Sequence, residues 1–248
     1  MDLTVALTGA IIGVVVGMTS TGGGALLTPA LVLVLGVPAR LAVGSDVLIA
    51  AVIKLVGSGF YVARGAVHWA TVRRLAYGSI PGALVGLAIL AAIPLDTVDH
   101  LLQQAVGATL ILVGVVSVFH LVRGARPAEA MPGLARTIGV GFAIGLLVAT
   151  TSIGSGSLLL AAFVLWFPFA PARMVGTDLV HALILSSVAA AGHLFAGRVD
   201  LALSVNVLAG AIPGVIVGAN VAGLMPQRAL RGCLAAILMA IGLRLAGG

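Results

Sequence analysis

Residues 3–37 read LTVALTGAIIGVVVGMTSTGGGALLTPALVLVLGV. Two apolar runs, 3–16 and 25–37, flank the break Gly17-Met18-Thr19-Ser20-Thr21-Gly22-Gly23-Gly24, and Pro38 closes the second run. Each run holds about 13 residues, roughly 20 Å of helix at about 1.5 Å per residue. A hydrocarbon core about 30 Å thick takes about 20 residues. Neither run spans comfortably alone. Together they predict a re-entrant hairpin or two short tilted helices with a hydroxyl- and glycine-rich tip.

The rest of the chain sets the solvent. Of 248 residues, 61% are hydrophobic and 8% charged, against about 25% charged in soluble domains. Too little polar surface exists to coat a globule in water. In lipid only helices or closed barrels satisfy the backbone, and the continuous apolar runs lack the alternation of barrel strands. The 34 glycines suit closely packed membrane helices. A formal charge of +6 comes from arginines scattered between apolar segments, with no basic stripe and few aromatics. It reads as topology-setting loop charge, not as nucleic-acid binding. Cys233 is the one cysteine, so no internal disulfide is expected. The start, Met1-Asp2-Leu3, has no basic n-region, and no cleaved signal peptide is read.

Further apolar segments follow at 39–64, 75–93 and 105–122. A central polar loop, 123–136, holds Arg126-Pro127 and Pro132-Gly133. The pattern then restarts: a short run 138–149, the break Thr150-Thr151-Ser152-Ile153-Gly154-Ser155-Gly156-Ser157, a short run 158–169, a long helix from Pro171 to about Phe195, and segments 203–224 and 233–245. A shift of 132 residues superposes the landmarks. Thr19-Ser20 falls on Thr151-Ser152, Val43-Gly44-Ser45-Asp46 on Val175-Gly176-Thr177-Asp178, and Gly65 on Gly197. Likewise Ile80-Pro81-Gly82 falls on Ile212-Pro213-Gly214. Such periodicity marks an internal repeat. The expected fold is an all-α polytopic bundle of about ten helical segments, four of them short. Its halves are 1–124 and 125–248, each a short helix pair plus three spans.

An odd number of crossings per half inverts the second half. Arg64, Arg73, Arg74, Arg123, Arg126, Arg136, Arg173, Arg228 and Arg231 then share one side. Asp2, Arg40, Asp96, Asp99, Arg198, Asp200 and Arg244 share the other. The positive-inside rule makes the arginine-rich side cytoplasmic and puts both termini outside.

Broken helices near the midplane, with N-termini aimed at an anion, are how inverted-repeat transporters bind substrate. The tips at Thr19, Ser20, Thr21, Gly22, Gly23 and Gly24 and at Thr151, Ser152, Gly154, Ser155 and Gly156 offer backbone N–H groups, hydroxyls and a positive dipole end. The bland alternative is tight packing or turning. Ser45 and Thr177 precede the intramembrane aspartates, Asp46 and Asp178. Those aspartates either carry protons, or hold unwound Gly44-Ser45 and Gly176-Thr177 backbone, or cap helices. Lys54 attracts an anion, neutralises Asp46, or snorkels to the interface. His181, three residues past Asp178, is a relay candidate or a packing histidine, and His193 lies on the same helix. No metal-ligand spacing and no nucleophile–base pair stands out, so neither a cofactor nor an enzymatic reaction is expected.

The Thr-Gly-Gly-Gly break with Pro29, Val-Gly-Ser-Asp at 43–46 with Lys54, Val-Gly-Thr-Asp-Leu-Val-His-Ala at 175–182 and the two Ile-Pro-Gly triplets resemble the sulfite exporter TauE/SafE family, also called the 4-toluene sulfonate uptake permease family. The resemblance covers both halves. The second break departs from it, reading Ser-Ile-Gly-Ser-Gly-Ser where a fuller glycine run is expected. It implies an inner-membrane carrier of sulfite, thiosulfate, sulfoacetate or other organosulfonates. The residues themselves reach only a small anion at a midplane site; membrane lipid as partner, protons as a candidate coupling ion and alternating access between the halves are further expectations. The rival readings are an anion channel and a membrane enzyme or assembly factor without solute flux.

Overall fold

The structure, a computed structural model, describes residues 3–19, 24–123, 130–221 and 227–247. It is all helical among these residues: α1 Leu3–Thr19, α2 Gly24–Leu33, α3 Ala39–Ala63, α4 Trp69–Ala92, α5 Leu95–Arg123, α6 Leu134–Thr151, α7 Ser157–Trp166, α8 Pro171–Phe195, α9 Leu201–Val221 and α10 Gln227–Ala246. Six of them, α3, α4, α5, α6, α8 and α9, are long and apolar enough to cross a bilayer. The chain is a polytopic membrane protein, and the many exposed Leu, Ile, Val and Phe side chains form the surface that lipid solvates.

Local sequence sets the helix ends. Pro38 stands at the N-cap of α3 and Pro171 opens α8, where a missing N–H costs nothing. Both helices end on a left-handed glycine, Gly65 at φ 64° and Gly197 at φ 65°. In each case the glycine N–H and the next N–H bond back to earlier carbonyls: Gly65 to Val62 and Ala66 to Tyr61, Gly197 to Leu194 and Arg198 to His193. This is the Schellman stop, which favours glycine because no Cβ opposes positive φ.

Several boundaries differ from the sequence expectation for one reason: polar residues at an interface still coil. α4 begins at Trp69, so Arg73 and Arg74 lie in its first turns, not in a loop. α5 begins at Leu95 and takes Asp99 into its first turn. α6 has 18 residues and α1 has 17, so among the described residues α2 and α7, with 10 each, are the shortest helices. Thr137, Thr150 and Thr151 continue α6 by donating their hydroxyls to carbonyls of its own preceding turn. Gly44-Ser45 and Gly176-Thr177 are not unwound. α3 and α8 run through them as helix, and each glycine instead removes a side chain at a crossing. A Cβ on Gly44 would strike the Arg198 carbonyl, and one on Gly176 the Ala66 carbonyl.

Packing crosses between the halves. α1 lies along α9 and α6 along α4, while α3 packs on α8 and α5 on α10. Gly78 on α4 meets the Ile138 carbonyl of α6, and Gly210 on α9 meets the Ala6 carbonyl of α1. Each member of the first contact becomes a member of the second by the same shift of 132 residues, the separation that also joins Lys54 to Ser186.

Candidate functional site

α3 and α8 cross at the centre and carry the buried charge. Asp46 and Asp178 each lie seven residues past the first residue of their helix, about 10 Å along it. Lys54 is a further two turns down α3. Asp46 is 0% exposed, Asp178 3%, Lys54 4% and Ser155 6%, so the cluster is shut off from water.

The break between α6 and α7 is folded around these groups. α6 stops at Ser152, which adopts a left-handed φ of 62°, followed by Gly154 at φ 128° and Gly156 at φ 94°. A serine in that region carries strain of order 1–3 kcal/mol. The turn is held because the Ile153 N–H bonds the Thr151 hydroxyl at 3.2 Å. Gly156 N–H donates to Asp178 Oδ1 at 3.2 Å, so Asp178 reaches across from α8 to the start of α7. On α3, Asp46 Oδ2 accepts from the Thr28 N–H at 3.2 Å and the Thr28 hydroxyl at 2.5 Å. Its other oxygen, Oδ1, has no partner among the described residues, while the Ser152 hydroxyl approaches the same carboxylate.

Lys54 joins the halves. Its ammonium donates to Ser155 Oγ at 2.8 Å and to Ser186 Oγ at 3.0 Å. An ammonium has three N–H donors, and the third meets no acceptor among the described residues. Both serine hydroxyls accept from Lys54 and so keep their own O–H to donate. Lys54 feels Asp178 more strongly than Asp46, without a direct ion pair to either among the described residues. Of the roles read for Lys54, pairing with Asp46 is not made as a direct ion pair among the described residues. Asp46 is held by two bonds from Thr28 and Asp178 by one from Gly156, while the Lys54 ammonium extends toward the α6–α7 break.

The other expected residues scatter. His181 Nε2 pairs with the Ser79 hydroxyl at 2.9 Å and His193 Nε2 with the Ala149 carbonyl at 2.8 Å. Both histidines join packed helices, and neither is bonded to Asp178 among the described residues. Ser45 and Thr177 serve the connections that precede α9 and α4: Ser45 Oγ accepts the Asp200 N–H at 3.0 Å and Thr177 Oγ1 the His68 N–H at 3.0 Å. The Thr151 hydroxyl is committed to Leu147. Ser20, Thr21, Gly22 and Gly23 lie outside the described residues, as do the side chains of Thr19 and Gly24. Thr28, Ser79 and Ser186 were not singled out from sequence. Ser186 could have been, because the shift of 132 places it on Lys54. Thr28 and Ser79 are lone hydroxyls in apolar runs and give no pattern. A cleft of about 570 Å³ at the ends of α2, α5 and α10, lined by Gln103 and Arg244, includes none of the cluster. No group of three or more His, Cys, Asp or Glu able to hold a metal occurs among the described residues.

A bundle with spanning helices around a buried, charged, hydroxyl-rich centre is the arrangement expected of a membrane transporter. The comparisons carry that class to a family. The sulfite exporter TauE/SafE family model matches residues 5–245, and the chain belongs to this family. It is 37% identical to the probable membrane transporter protein YjnA of Bacillus subtilis, over 99% of this chain and 100% of that one. It is 24% identical to the probable membrane transporter protein YdhB of the same organism, over 90% and 91% of the two chains. No solved structure matches.

Proposed function

We propose that this chain is a secondary transporter of a small sulfur-containing oxyanion or organosulfonate, working by alternating access in the cytoplasmic membrane, with both termini outside. The observation that carries the reading is the Lys54 ammonium: buried, anchored by two hydroxyls beside the start of α7, with one donor that meets no acceptor among the described residues. A buried cation with a spare donor favours a small anion, and Ser155, Ser186 and Ser152 add hydroxyls at the same place. The family name supplies the sulfur. Closure of the cluster to water supports a path that opens to one side at a time.

In this reading residues 1–124 and 125–248 are repeats of opposite orientation, supported by contacts that recur at the 132-residue shift. Transport is proton-linked, because a buried carboxylate beside an anion repels it until protonated. Asp46, with an unpartnered oxygen, takes the proton, while Asp178 balances Lys54. The test is flux of radiolabelled sulfite, thiosulfate and sulfoacetate in proteoliposomes. Lys54→Gln keeps length and donors but removes the charge, and should cut flux about tenfold or more. Wild-type flux of none of these anions would overturn the substrate class. High conductance indifferent to a pH gradient would make the protein a channel.

A further inference from the structure

A residue that touches its own counterpart under an internal repeat marks the axis relating the halves. Off that axis, contacts come in pairs. Ser45 with Asp200 matches Thr177 with His68, and Gly44 with Arg198 matches Gly176 with Ala66. Lys54 with Ser186 has no second copy. Each is the other shifted by 132, and they meet at 3.0 Å, both buried. Here the symmetry cannot be obeyed, because one member is a long cation and the other a short neutral hydroxyl. The cation's other bond goes to Ser155 in the second half, at 2.8 Å. The position matched to Ser155 in the first half is Gly23, which has no hydroxyl.

We propose that Ser186 is a positioning residue for Lys54, and that this unlike pair on the axis holds the buried Lys54 ammonium on the second half's break, making the two access states unequal in energy. The inference rests on the transport reading above. A symmetric pair would leave the two states balanced, whereas Lys54 stabilises whichever state keeps Ser155 within reach. Moving the cation to the other side of the axis, where Gly23 offers no hydroxyl, should remove the bias.

The test compares wild type, Lys54→Ser, Ser186→Ala and the exchange Lys54→Ser/Ser186→Lys, each as the full chain in nanodiscs. Amide hydrogen exchange across 152–158 reads the anchor without any substrate. It should speed by about tenfold or more in Lys54→Ser and in the exchanged protein, and less in Ser186→Ala, where Ser155 still accepts. Radiolabelled sulfite flux is the second arm. The exchanged protein should recover flux that Lys54→Ser loses, with the KM values from the two sides closer together than in wild type. Unchanged amide exchange in Lys54→Ser overturns the proposal. So does an exchanged protein no better than Lys54→Ser at equal thermal stability. If the exchanged protein does not insert, Ser186→Thr replaces it: threonine keeps the hydroxyl and should keep the wild-type KM ratio that alanine loses, and equal ratios overturn the idea. If wild type moves no sulfur anion, the transport reading falls, while the amide-exchange arm still decides the axial pair.

Discussion

Asp46→Asn separates the charge of this carboxylate from its hydrogen bonds. The asparagine carbonyl can replace Oδ2 and keep both bonds from Thr28, and its NH₂ falls where Oδ1 is unpartnered, near Ser152. The fold should therefore persist. Asp46→Ala instead orphans the Thr28 N–H and hydroxyl, about 1–3 kcal/mol each, and should lower thermal stability clearly. The transport effect comes from the charge. An anion at the Lys54 ammonium lies roughly two helical turns from Asp46, about 11 Å. Two unit charges at that distance and an effective dielectric of about 20 repel by about 1.5 kcal/mol, or about tenfold in affinity. Wild-type affinity for the anion should fall by that order as pH rises through the titration of the carboxylate. Asp46→Asn should hold the tighter value at every pH and abolish the dependence of flux on a pH gradient. The assay is binding and flux of an alkyl sulfonate, whose own charge does not change over the range, with and without a gradient. Full gradient-driven transport in Asp46→Asn would refute the proton role and leave Asp46 as a structural tie to α2.

Asp178→Asn should act in the opposite sense on turnover: Lys54 loses its stronger counter-charge, anions bind several-fold tighter and leave more slowly, which single-turnover efflux would read. Ser155→Ala, removing a hydroxyl that holds Lys54, should weaken binding about 10- to 150-fold with little loss of stability; unchanged affinity would place the site elsewhere. Gly44→Ala and Gly176→Ala each push a methyl into a carbonyl and should destabilise by about 1–3 kcal/mol, measured by thermal unfolding in detergent, with equal costs if the two crossings are equivalent. Labelling from each side of the membrane should find the loops at 64–68 and 123–133 together and the turn at 93–94 opposite; splitting the two arginine-rich loops would overturn the orientation.

Much of the fold was legible because apolar runs, prolines and glycines act locally. Pro38, Pro171, Gly65 and Gly197 bound helices where the sequence places those bounds. Helix starts were not legible where Trp69, Arg73 or Asp99 sit at an interface, because polar residues there are solvated without leaving the helix. The length of α6 was hidden by Thr150 and Thr151, whose hydroxyls are absorbed by its own carbonyls. For the site, the aspartates, Lys54 and the second break were visible as costly groups in apolar surroundings. Their mutual geometry was not. Lys54 reaching Ser155, 101 residues away, is decided by how α3 crosses α8, which no local pattern encodes.

The crossed packing of α1 on α9 governs how the protein is made. Gly9 rests on the Val207 carbonyl and Gly13 on the Ala211 carbonyl, so the surface that α1 shapes for its neighbour has no occupant until nearly the whole chain has left the ribosome. Until then lipid must fill that face, and α4 likewise waits for α6. Assembly in the bilayer is therefore ordered: α4 and α6 can close first, and α1 must stay put while more than 180 residues are inserted past it. A chain stopped after α5 has only half of each such interface, so a ribosome stalled there should leave a nascent product open to quality-control proteases, while one released after α10 should not.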